Sequence, residues 1–270
     1  MARVIVITSG KGGVGKTTTT SNIGMSLARL GYPTLLIDAD VGLRNLDLLL
    51  GLENRIIYSG LDVLNKSCRL EQALIQDKRQ TNLAFFPLSS NRGDIPITSE
   101  QVKELIQSVQ SDYDYILIDS PAGIDNGFQT AIECATEAIV VVTPEVPSIR
   151  DADRVIGILM SKGINKLSLI INRIRPNMVK TDDMMSIEDV TNILGISLVG
   201  VIPDSEQIIV ASNRGEPIVL EDKTCLPGIA FENTTRRLIG EEVEFLDLTK
   251  TNRKNPVKRI LGNFIKRPNT

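Results

Sequence analysis

Short apolar runs alternate along the chain with longer segments in which apolar residues recur at helical spacing. The runs are rich in Val and Ile and are apolar at nearly every position, which is typical of strands buried on both faces of a parallel sheet. Seven strands are predicted, at residues 4–7, 34–37, 83–86, 115–118, 138–142, 167–171 and 198–202. Helices are predicted at residues 22–30, 99–109, 151–161 and 187–194. The pattern therefore predicts a doubly wound α/β domain, with a mainly parallel sheet flanked by helices on both faces.

Charge divides the chain into an acidic body and a basic end. The formal net charge of all 270 residues is -3, but residues 248–270 carry seven basic residues and no acidic one, which leaves residues 1–247 at -10. We therefore expect one domain at residues 1–247, a polar linker at residues 248–255 and a separate C-terminal segment at residues 256–270. An acidic body is a poor surface for nucleic acid, so no nucleic-acid partner is expected.

The composition narrows the chemistry that this chain can use. It contains no histidine, so carboxylates, lysines and backbone amides must supply any catalysis. Its three cysteines, Cys68, Cys134 and Cys225, are an odd number without a C-x-x-C spacing, which argues against a disulfide scaffold and an iron–sulfur site and favours a reducing compartment. The apolar runs are too short to span a membrane, and the N-terminus does not have the layout of a secretory signal.

A glycine-rich loop follows the first predicted strand and leads into a helical segment. Residues 10–17 read G-K-G-G-V-G-K-T and fit the phosphate-loop pattern G-x-x-x-x-G-K-[ST]. Glycines let successive N–H groups converge on an anion, and the start of a helix adds partial positive charge. We expect Lys16 to reach the β and γ phosphates of a nucleotide and Thr17 to bind Mg²⁺. The predicted phosphate site comprises Gly10, Lys11, Gly12, Gly13, Val14, Gly15, Lys16, Thr17 and Thr18.

Acidic residues follow two of the predicted strands. Asp38 and Asp40 come after the second strand, and Asp119 comes after the fourth, at the start of the run D-S-P-A-G. The carboxyl ends of parallel strands meet at one edge of the sheet, which is where the phosphate loop also lies. We expect Asp119 to lie on the metal side of the site, where Mg²⁺ and its waters would bind. Each acid taken singly is also typical of a helix cap or a turn.

The loop contains a second lysine, Lys11, which an ordinary phosphate loop does not need and which could also be a solvated charge. The run K-G-G-V-G-K-T resembles the deviant Walker motif of the ParA/MinD superfamily of P-loop ATPases. The resemblance implies ATP and Mg²⁺ as ligands and a nucleotide-bridged homodimer in which Lys11 reaches the partner's phosphates. It further implies that Asp40 orients the attacking water, that Asp38 supports the magnesium site and that Gly123 donates its backbone amide to the γ-phosphate. The catalytic residues so implied are Lys11, Lys16 and Asp40, and the metal-side residues are Thr17, Asp38 and Asp119.

The resemblance extends to the base side of the nucleotide and to the dimer face. Asn172 follows the sixth predicted strand, and Pro203 and Asp204 follow the seventh; these positions look like the family's adenine-side residues, although a plain loop would read the same way. Glu145 and Asp151 lie in a segment that resembles the dimer-facing one, and a capped helix start would also look like this.

Six stretches favour one branch of this superfamily. They read T-S-G-K-G-G-V-G-K-T-T, D-x-D-V-G-L-R-N-L-D, D-S-P-A-G-I, P-E-V-x-S-x-R-D-x-D-R, L-V-G-V-I-P and N-x-G-E-P. They resemble the ATPases that place the division site in bacteria and plastids, over residues 1–267, with a looser match at residues 89–114. The resemblance implies a MinC-like inhibitor and a MinE-like activator as partners, with Arg44, Asn45 and residues 148–154 as candidate surface. It implies a location at the membrane periphery and in the cytoplasm of a bacterium, or in the plastid stroma and at the inner envelope face.

Two other functions share the same nucleotide site. A ParA-type DNA-partitioning ATPase would need a basic surface on the folded body, and residues 1–247 carry a net charge of -10. A nucleotide-gated scaffold, whose hydrolysis is incidental, stays open as a third interpretation.

The C-terminal segment has the pattern of an amphipathic helix. From Pro256 onwards apolar residues recur at i, i+3, i+4, i+7 and i+8, and basic residues occupy the rest of the circumference. The candidate membrane residues are Val257, Lys258, Arg259, Ile260, Leu261, Phe264, Ile265, Lys266 and Arg267. A helix at the surface of an anionic membrane is favoured over a helix packed on the body and over a disordered basic tail. A single C-terminal segment, called the tail below, is expected to bind the membrane only marginally. Two tails joined in a dimer bind it with higher avidity, so ATP-driven dimerisation would control membrane attachment.

Overall fold

The computed structural model of the chain describes residues 2–40, 44–89, 97–221 and 225–248. The predicted C-terminal helix, the linker beyond Leu248 and all the candidate membrane residues lie outside these ranges. Leu248, which the sequence analysis assigns to the linker, packs against the hydrophobic core. Within the described ranges, no helix is both long and apolar enough to cross a membrane.

The strands of the described chain form one eight-stranded sheet. They are β1 (Arg3–Thr8), β2 (Thr34–Asp38), β3 (Ile75–Gln76), β4 (Leu83–Pro87), β5 (Tyr115–Asp119), β6 (Glu137–Val142), β7 (Lys166–Ile174) and β8 (Ser197–Pro203). The order in the sheet is β3-β4-β2-β5-β1-β6-β7-β8, and every neighbouring pair is parallel except β3 with β4. The predicted architecture is confirmed. The sequence pattern does not predict β3, because two residues at an antiparallel edge are too few to show a period.

Two strands run further than predicted. β7 continues through Asn172 and Arg173 to Ile174, with a shift of register against β8 between Ile171 and Ile174. β8 likewise includes Pro203 as its last residue. The prediction that Asn172, Arg173 and Pro203 follow the strands is therefore wrong, since all three lie within them. The irregularity in β7 lets pairing resume at Ile174, which a periodic pattern cannot anticipate.

Helices cover the sheet on both faces. They are α1 (Lys16–Arg29), α2 (Leu46–Leu49), α3 (Gly60–Leu64), α4 (Leu70–Ala73), α5 (Ser99–Val109), α6 (Asn126–Glu133), α7 (Val146–Ser161), α8 (Pro176–Lys180), α9 (Ile187–Leu194), α10 (Glu206–Asn213) and α11 (Leu226–Leu238), with single 3₁₀ turns at Glu53–Arg55 and Ile218–Leu220. Helices α5 and α9 begin and end where predicted, each behind a capping box.

Helices α1 and α7 begin earlier than predicted. α1 starts at Lys16 although four threonines follow, because the packing of the helix against the sheet overrides the low helix propensity of threonine. α7 starts at Val146, with Pro147 in its first turn, where the missing N–H of proline costs no helical hydrogen bond. The backbone N–H of Thr143 donates to Ser148 Oγ at 3.1 Å, which ties this first turn to the end of β6.

Alternate residues of each strand enter two separate hydrophobic clusters. In β1, Val4 and Val6 face the cluster covered by α5, α6, α7 and α9, while Ile5 and Ile7 face the cluster covered by α1, α10 and α11. The strands β2, β5 and β1 are neighbours at the centre, so the loops that leave their carboxyl ends meet at one edge.

Arg237 helps to hold the residues after α11 to the body, where Leu246 and Leu248 also pack against the core. Arg237 donates to the backbone oxygens of Val243 at 2.7 Å, of Glu244 at 2.8 Å and of Val199 in the edge strand β8 at 2.9 Å. Its guanidinium carbon lies 3.9 Å from the centroid of the Phe245 ring. The chain that leads towards the C-terminus is thus anchored beside β8.

Candidate functional site

The glycine-rich loop joins β1 to α1 and turns where two glycines adopt a left-handed backbone. Gly13 has φ 76° and Gly15 has φ 100°, values that residues with a Cβ rarely adopt. α1 begins directly after Gly15, without a side-chain cap and without an acidic residue in its first turn. The first N–H groups of the helix are therefore available to an anion, as the sequence predicts.

Gly10 brings the loop into contact with α7. A Cβ on Gly10 would lie 2.4 Å from both the carbonyl carbon and the oxygen of Asp151. Lys11 Nζ lies 3.8 Å from Glu145 Oε2, and since both side chains are about half exposed this ion pair is weak. The residues predicted for the dimer face, Glu145 and Asp151, thus adjoin the loop of their own chain.

Lys16 lies buried beneath the loop. Its ammonium donates to Ser9 Oγ at 3.0 Å. Burial lowers the pKa of Lys16, and the negative charges of Asp119 and Asp40 act in the opposite direction. A buried cation surrounded by acids and glycine amides is suited to meet phosphate oxygens.

Two buried carboxylates stand side by side on the predicted metal side of the site. Asp38 and Asp119 are register partners at the ends of β2 and β5. Asp38 accepts from the backbone N–H of Asp40 at 3.0 Å and from that of Leu46 at 3.2 Å. Asp119 accepts from Thr20 Oγ1 at 2.9 Å, and a hydrogen bond with Thr17 also favours its charged form.

Burial raises the pKa of both acids. It raises that of Asp38 to about 8, with the charge of Asp119 acting in the same direction, and it raises that of Asp119 to about 6. Two acids that resist ionising together need more positive charge than Lys16 provides, and a divalent cation would supply it. Within the part of the chain that the structure describes, no cluster of three or more His, Cys, Asp or Glu side chains could hold a metal ion. The oxygen donors Thr17, Asp38 and Asp119 fit Mg²⁺, which binds through few protein ligands and substrate phosphates.

Asp40 and Gly123 reach the same edge of the sheet. The carboxylate of Asp40 is close enough to raise the pKa of Lys16, although burial of the lysine outweighs it. Gly123 has φ 88°, and its neighbour Ala122 has a Cβ only 3.7 Å from the point where Gly12 would carry one. The structure therefore brings the segments that contain Asp40 and Gly123 to the phosphate loop.

A cavity of about 560 Å³ opens beside the loop on the predicted base side. Its lining includes Gly15, Thr18, Asn172, Arg173 and Asp204. The buried amide of Asn172 donates to the backbone oxygen of Val14 at 2.8 Å, so it supports the loop directly. Contact of this amide with adenine stays a prediction.

The other residues predicted to contact the base or a partner protein differ in how far they are exposed to solvent. Pro203 is buried at the end of β8, and Asp204 is paired with Arg175 at 2.6 Å. Arg44 lies 2.8 Å from the buried carboxylate of Asp47, and Asn45 is exposed.

The predicted surface at residues 148–154 is only partly accessible. Ser148, Ile149 and Ala152 are buried, whereas the exposed residues of this stretch are Arg150, Asp151, Asp153 and Arg154. The prediction that the whole stretch is surface is therefore wrong for the three buried residues, which the helical period of α7 turns towards the sheet.

Sequence reasoning does not identify two polar residues that support this site. Ser9 precedes the loop and contacts Lys16, and Thr20 lies one turn after Lys16 and contacts Asp119. The i, i+4 spacing of Lys16 and Thr20 in a helix that starts at the loop could have indicated the second.

Comparison with known proteins identifies the family of this site. A model of the CobQ/CobB/MinD/ParA nucleotide binding domain matches residues 5–218. A chain of Emiliania huxleyi assigned as a septum site-determining protein MinD is 67% identical over 267 residues, which cover 99% of this chain and 98% of that one.

Two solved structures share the fold over most of the chain. The MinC:MinD cell division protein complex of Aquifex aeolicus is 50% identical with a TM-score of 0.84, covering 91% of this chain and 98% of that one. The septum site-determining protein MinD of Pyrococcus horikoshii, complexed with Mg-ADP, is 29% identical with a TM-score of 0.80, covering 91% of this chain and all of that one.

Proposed function

The chain belongs to the MinD family of septum site-determining proteins, within the CobQ/CobB/MinD/ParA nucleotide-binding family, and from this premise we propose that it is an ATP-hydrolysing switch that attaches reversibly to membranes. Its role is placement of the division site. One observation carries the proposal: the buried pair Asp38 and Asp119 stands at the sheet edge where Lys16 and the uncapped start of α1 form an anion site. A site for a polyanion beside a site for a divalent cation is suited to Mg-ATP.

Each residue of the site has a separate task in hydrolysis. The amides of the loop and Lys16 bind the phosphates, while Thr17, Asp119 and Asp38 hold Mg²⁺. The ion, when bound, neutralises charge that develops on the phosphates. Asp40 orients the attacking water, and the backbone N–H of Gly123 faces the γ-phosphate.

Dimerisation completes the site with Lys11 of a second copy. In the structure Lys11 is exposed and only weakly paired with Glu145, so little energy is lost when it turns to another partner. Reaching across a dimer, its ammonium would stabilise negative charge on the other copy's phosphates, as a positively charged finger does. ATP binding and dimerisation are then coupled. When the bound nucleotide is ADP, the dimer lacks this contact.

Membrane attachment follows from joining two weak tails. Residues 256–270 form an amphipathic helix on an anionic membrane, and the tail of one copy binds marginally. Dimerisation makes insertion of the second tail intramolecular and raises avidity by roughly 10² to 10⁴. The membrane-bound dimer recruits a MinC-like division inhibitor, for which the Aquifex MinC:MinD complex offers support, and a MinE-like activator releases it. The location is the membrane periphery and cytoplasm of a bacterium, or the plastid stroma and inner envelope face.

Vesicle sedimentation tests this proposal directly. The full chain, a chain ending at Asn255 and the variant Asp40→Ala are each mixed with anionic vesicles in Mg-ATP or Mg-ADP. We expect the full chain to sediment with ATP and to stay in solution with ADP, the shortened chain to stay in solution with both, and Asp40→Ala to remain bound with ATP for longer. Equal binding in ATP and ADP, or binding without the tail, would contradict the proposal.

Light scattering of the same samples without vesicles tests the dimer separately. We expect twice the monomer mass with Mg-ATP for the full chain and for the chain ending at Asn255, since the proposed dimer contact is made by Lys11 and the nucleotide. A full chain that stays monomeric in ATP rejects the coupling of nucleotide to membrane.

A further inference from the structure

Ser9 links the two lysines of the phosphate loop through one hydroxyl group. It is the last residue before Gly10 and is 1% exposed. Its Oγ accepts a hydrogen bond from Lys16 Nζ at 3.0 Å and donates one to the backbone oxygen of Lys11 at 2.7 Å. A hydroxyl has one proton to donate and lone pairs to accept, so both capacities of Ser9 are used here.

The hydrogen bond to the Lys11 oxygen affects which backbone groups of the loop face an anion. A loop that binds phosphate must direct its N–H groups at the anion and keep its carbonyl oxygens away, because those oxygens would repel it. Ser9 holds one such oxygen from the inner side. On the outer side, the contact of Gly10 with the backbone of Asp151 keeps the beginning of the loop in place.

The bond to Lys16 affects where the ammonium rests. Lys16 is 7% exposed, and a buried ammonium without a hydrogen-bond acceptor is costly. Among the described residues Lys16 forms no salt bridge with Asp119, although the charge of Asp119 acts on it. The serine oxygen thus accepts a hydrogen bond from the buried ammonium, while Asp119 accepts one from Thr20.

We propose that Ser9 is a positioning residue that holds the phosphate loop and the Lys16 ammonium in the orientation that binds phosphate. The proposal rests on the proposed function, since it concerns the same nucleotide site. Once a nucleotide is bound, the phosphates themselves hold the loop and the lysine. Loss of the hydroxyl should therefore weaken nucleotide binding and leave the later hydrolysis step almost unchanged.

The test compares four full-length proteins: wild type, Ser9→Ala, Ser9→Thr and the control Ser108→Ala. Ser108 also donates a hydrogen bond of 2.7 Å to a backbone oxygen, that of Leu105, but it lies in α5. The Kd for Mg-ADP is measured by calorimetry, and kcat and KM for Mg-ATP are measured by phosphate release.

We expect Ser9→Ala to raise both Kd and KM roughly 10-fold, as loss of a hydrogen bond to a charged group does, with kcat within about 3-fold of wild type. Ser9→Thr keeps the hydroxyl and should restore Kd to within about 3-fold, and Ser108→Ala should match wild type. A merely structural role would lower the active fraction without changing Kd or KM. Unchanged Kd in Ser9→Ala, or a fall in kcat at constant KM, overturns the proposal.

Hydrogen exchange of the nucleotide-free proteins separates this inference from the proposed function. Peptides covering residues 5–20 should exchange faster in Ser9→Ala than in wild type and Ser9→Thr, with other peptides unchanged. If wild type binds no Mg-ADP, the proposed function fails, while faster exchange confined to the loop still supports the hold of Ser9 on it. Equal exchange in all four proteins rejects the inference even where nucleotide binds. If Ser9→Ala does not fold, Ser9→Cys replaces it, because a thiol is a weak hydrogen-bonding group. The same measurements then compare Ser9→Cys with Ser9→Thr, and equal Kd, KM and exchange in the two overturn the proposal.

Discussion

Asp38 and Asp119 stand opposite each other in the register of β2 and β5, both buried and both at the edge where the phosphate loop begins. Two acids so placed repel each other when both are ionised, and burial adds to the cost. A cation bound beside them would reduce this cost. This relationship makes the protein sensitive to pH in a defined direction.

The stability of the nucleotide-free protein should fall as pH rises from about 4 to about 8. Both acids have a raised pKa in the folded protein, so the folded state binds more protons than the unfolded state across this window, and deprotonation favours unfolding. The stabilising effect is fully present below the ordinary pKa of aspartate and is lost as pH passes the raised values. We expect a loss of at least about 1.4 kcal/mol, the free energy of one pKa unit. Urea unfolding at pH 5, 6, 7 and 8 measures it.

Asp38→Asn is the variant for this pH prediction, with the exposed Asp153→Asn as its control. The first should flatten the pH dependence and the second should leave it as in wild type. Mg-ADP should restore stability most at pH 8, since it binds the ionised acids. Stability that rises with pH between 5 and 8 would show that the two acids are not the controlling groups.

Thr20→Val and Thr19→Val should differ although the two threonines are neighbours in α1 and both are fully buried. Thr20 Oγ1 contacts the backbone oxygen of Lys16 and Asp119 Oδ1, whereas Thr19 Oγ1 has no hydrogen-bond partner among the described residues. Replacing Thr20 leaves a buried carboxylate short of a donor and should cost about 1–3 kcal/mol. Replacing Thr19 removes an unsatisfied hydroxyl and should be neutral or stabilising. Urea unfolding of both variants at pH 7 measures the difference, and equal losses would refute this account.

Gly10→Ala should damage the protein far more than Gly12→Ala. A Cβ at Gly10 would lie 2.4 Å from the backbone of Asp151, whereas one at Gly12 would lie 3.7 Å from the Cβ of Ala122, an ordinary contact. The clash must push the loop away from α7, at a cost of about 1–3 kcal/mol typical of overpacking. Thermal unfolding without nucleotide measures the effect. The contact with α7 would be in doubt if both variants melted together.

Arg237→Ala should release the residues after α11, whereas Arg236→Ala should not. Arg237 holds three backbone oxygens and the Phe245 ring, while Arg236 pairs only with the surface acids Glu232 and Glu241 among the described residues. Exposed ion pairs contribute about 0–1 kcal/mol, so the second variant should remain close to wild type. Hydrogen exchange of residues 241–248 is the measurement, and protection that survives loss of Arg237 would rule out its anchoring role.

The local sequence predicts those helices, strands and loops whose defining residues lie close together in the chain. The starts of α5 and α9 coincide with capping residues beside an apolar face, and the central strands with apolar runs rich in Leu and Ile. The phosphate loop is predicted by its own spacing because glycine conformation and the start of α1 are local properties. Family resemblance supplied the roles of Asp40, Gly123 and Lys11, which no local pattern contains.

Other features depend on contacts between segments far apart in the chain. Arg173 sits inside β7 because pairing with β8 resumes after it, and Lys16 starts a helix among threonines because α1 packs on the sheet. The hold of Ser9 on Lys16, of Thr20 on Asp119 and of Arg237 on β8 follows from burial, which leaves each polar group only the partners that the fold places within reach. Sequence alone thus determined the α/β architecture, the phosphate loop and the candidate ligands. Only the tertiary structure decided which buried groups satisfy one another, because hydrogen bonding in the absence of water is a property of the packed chain.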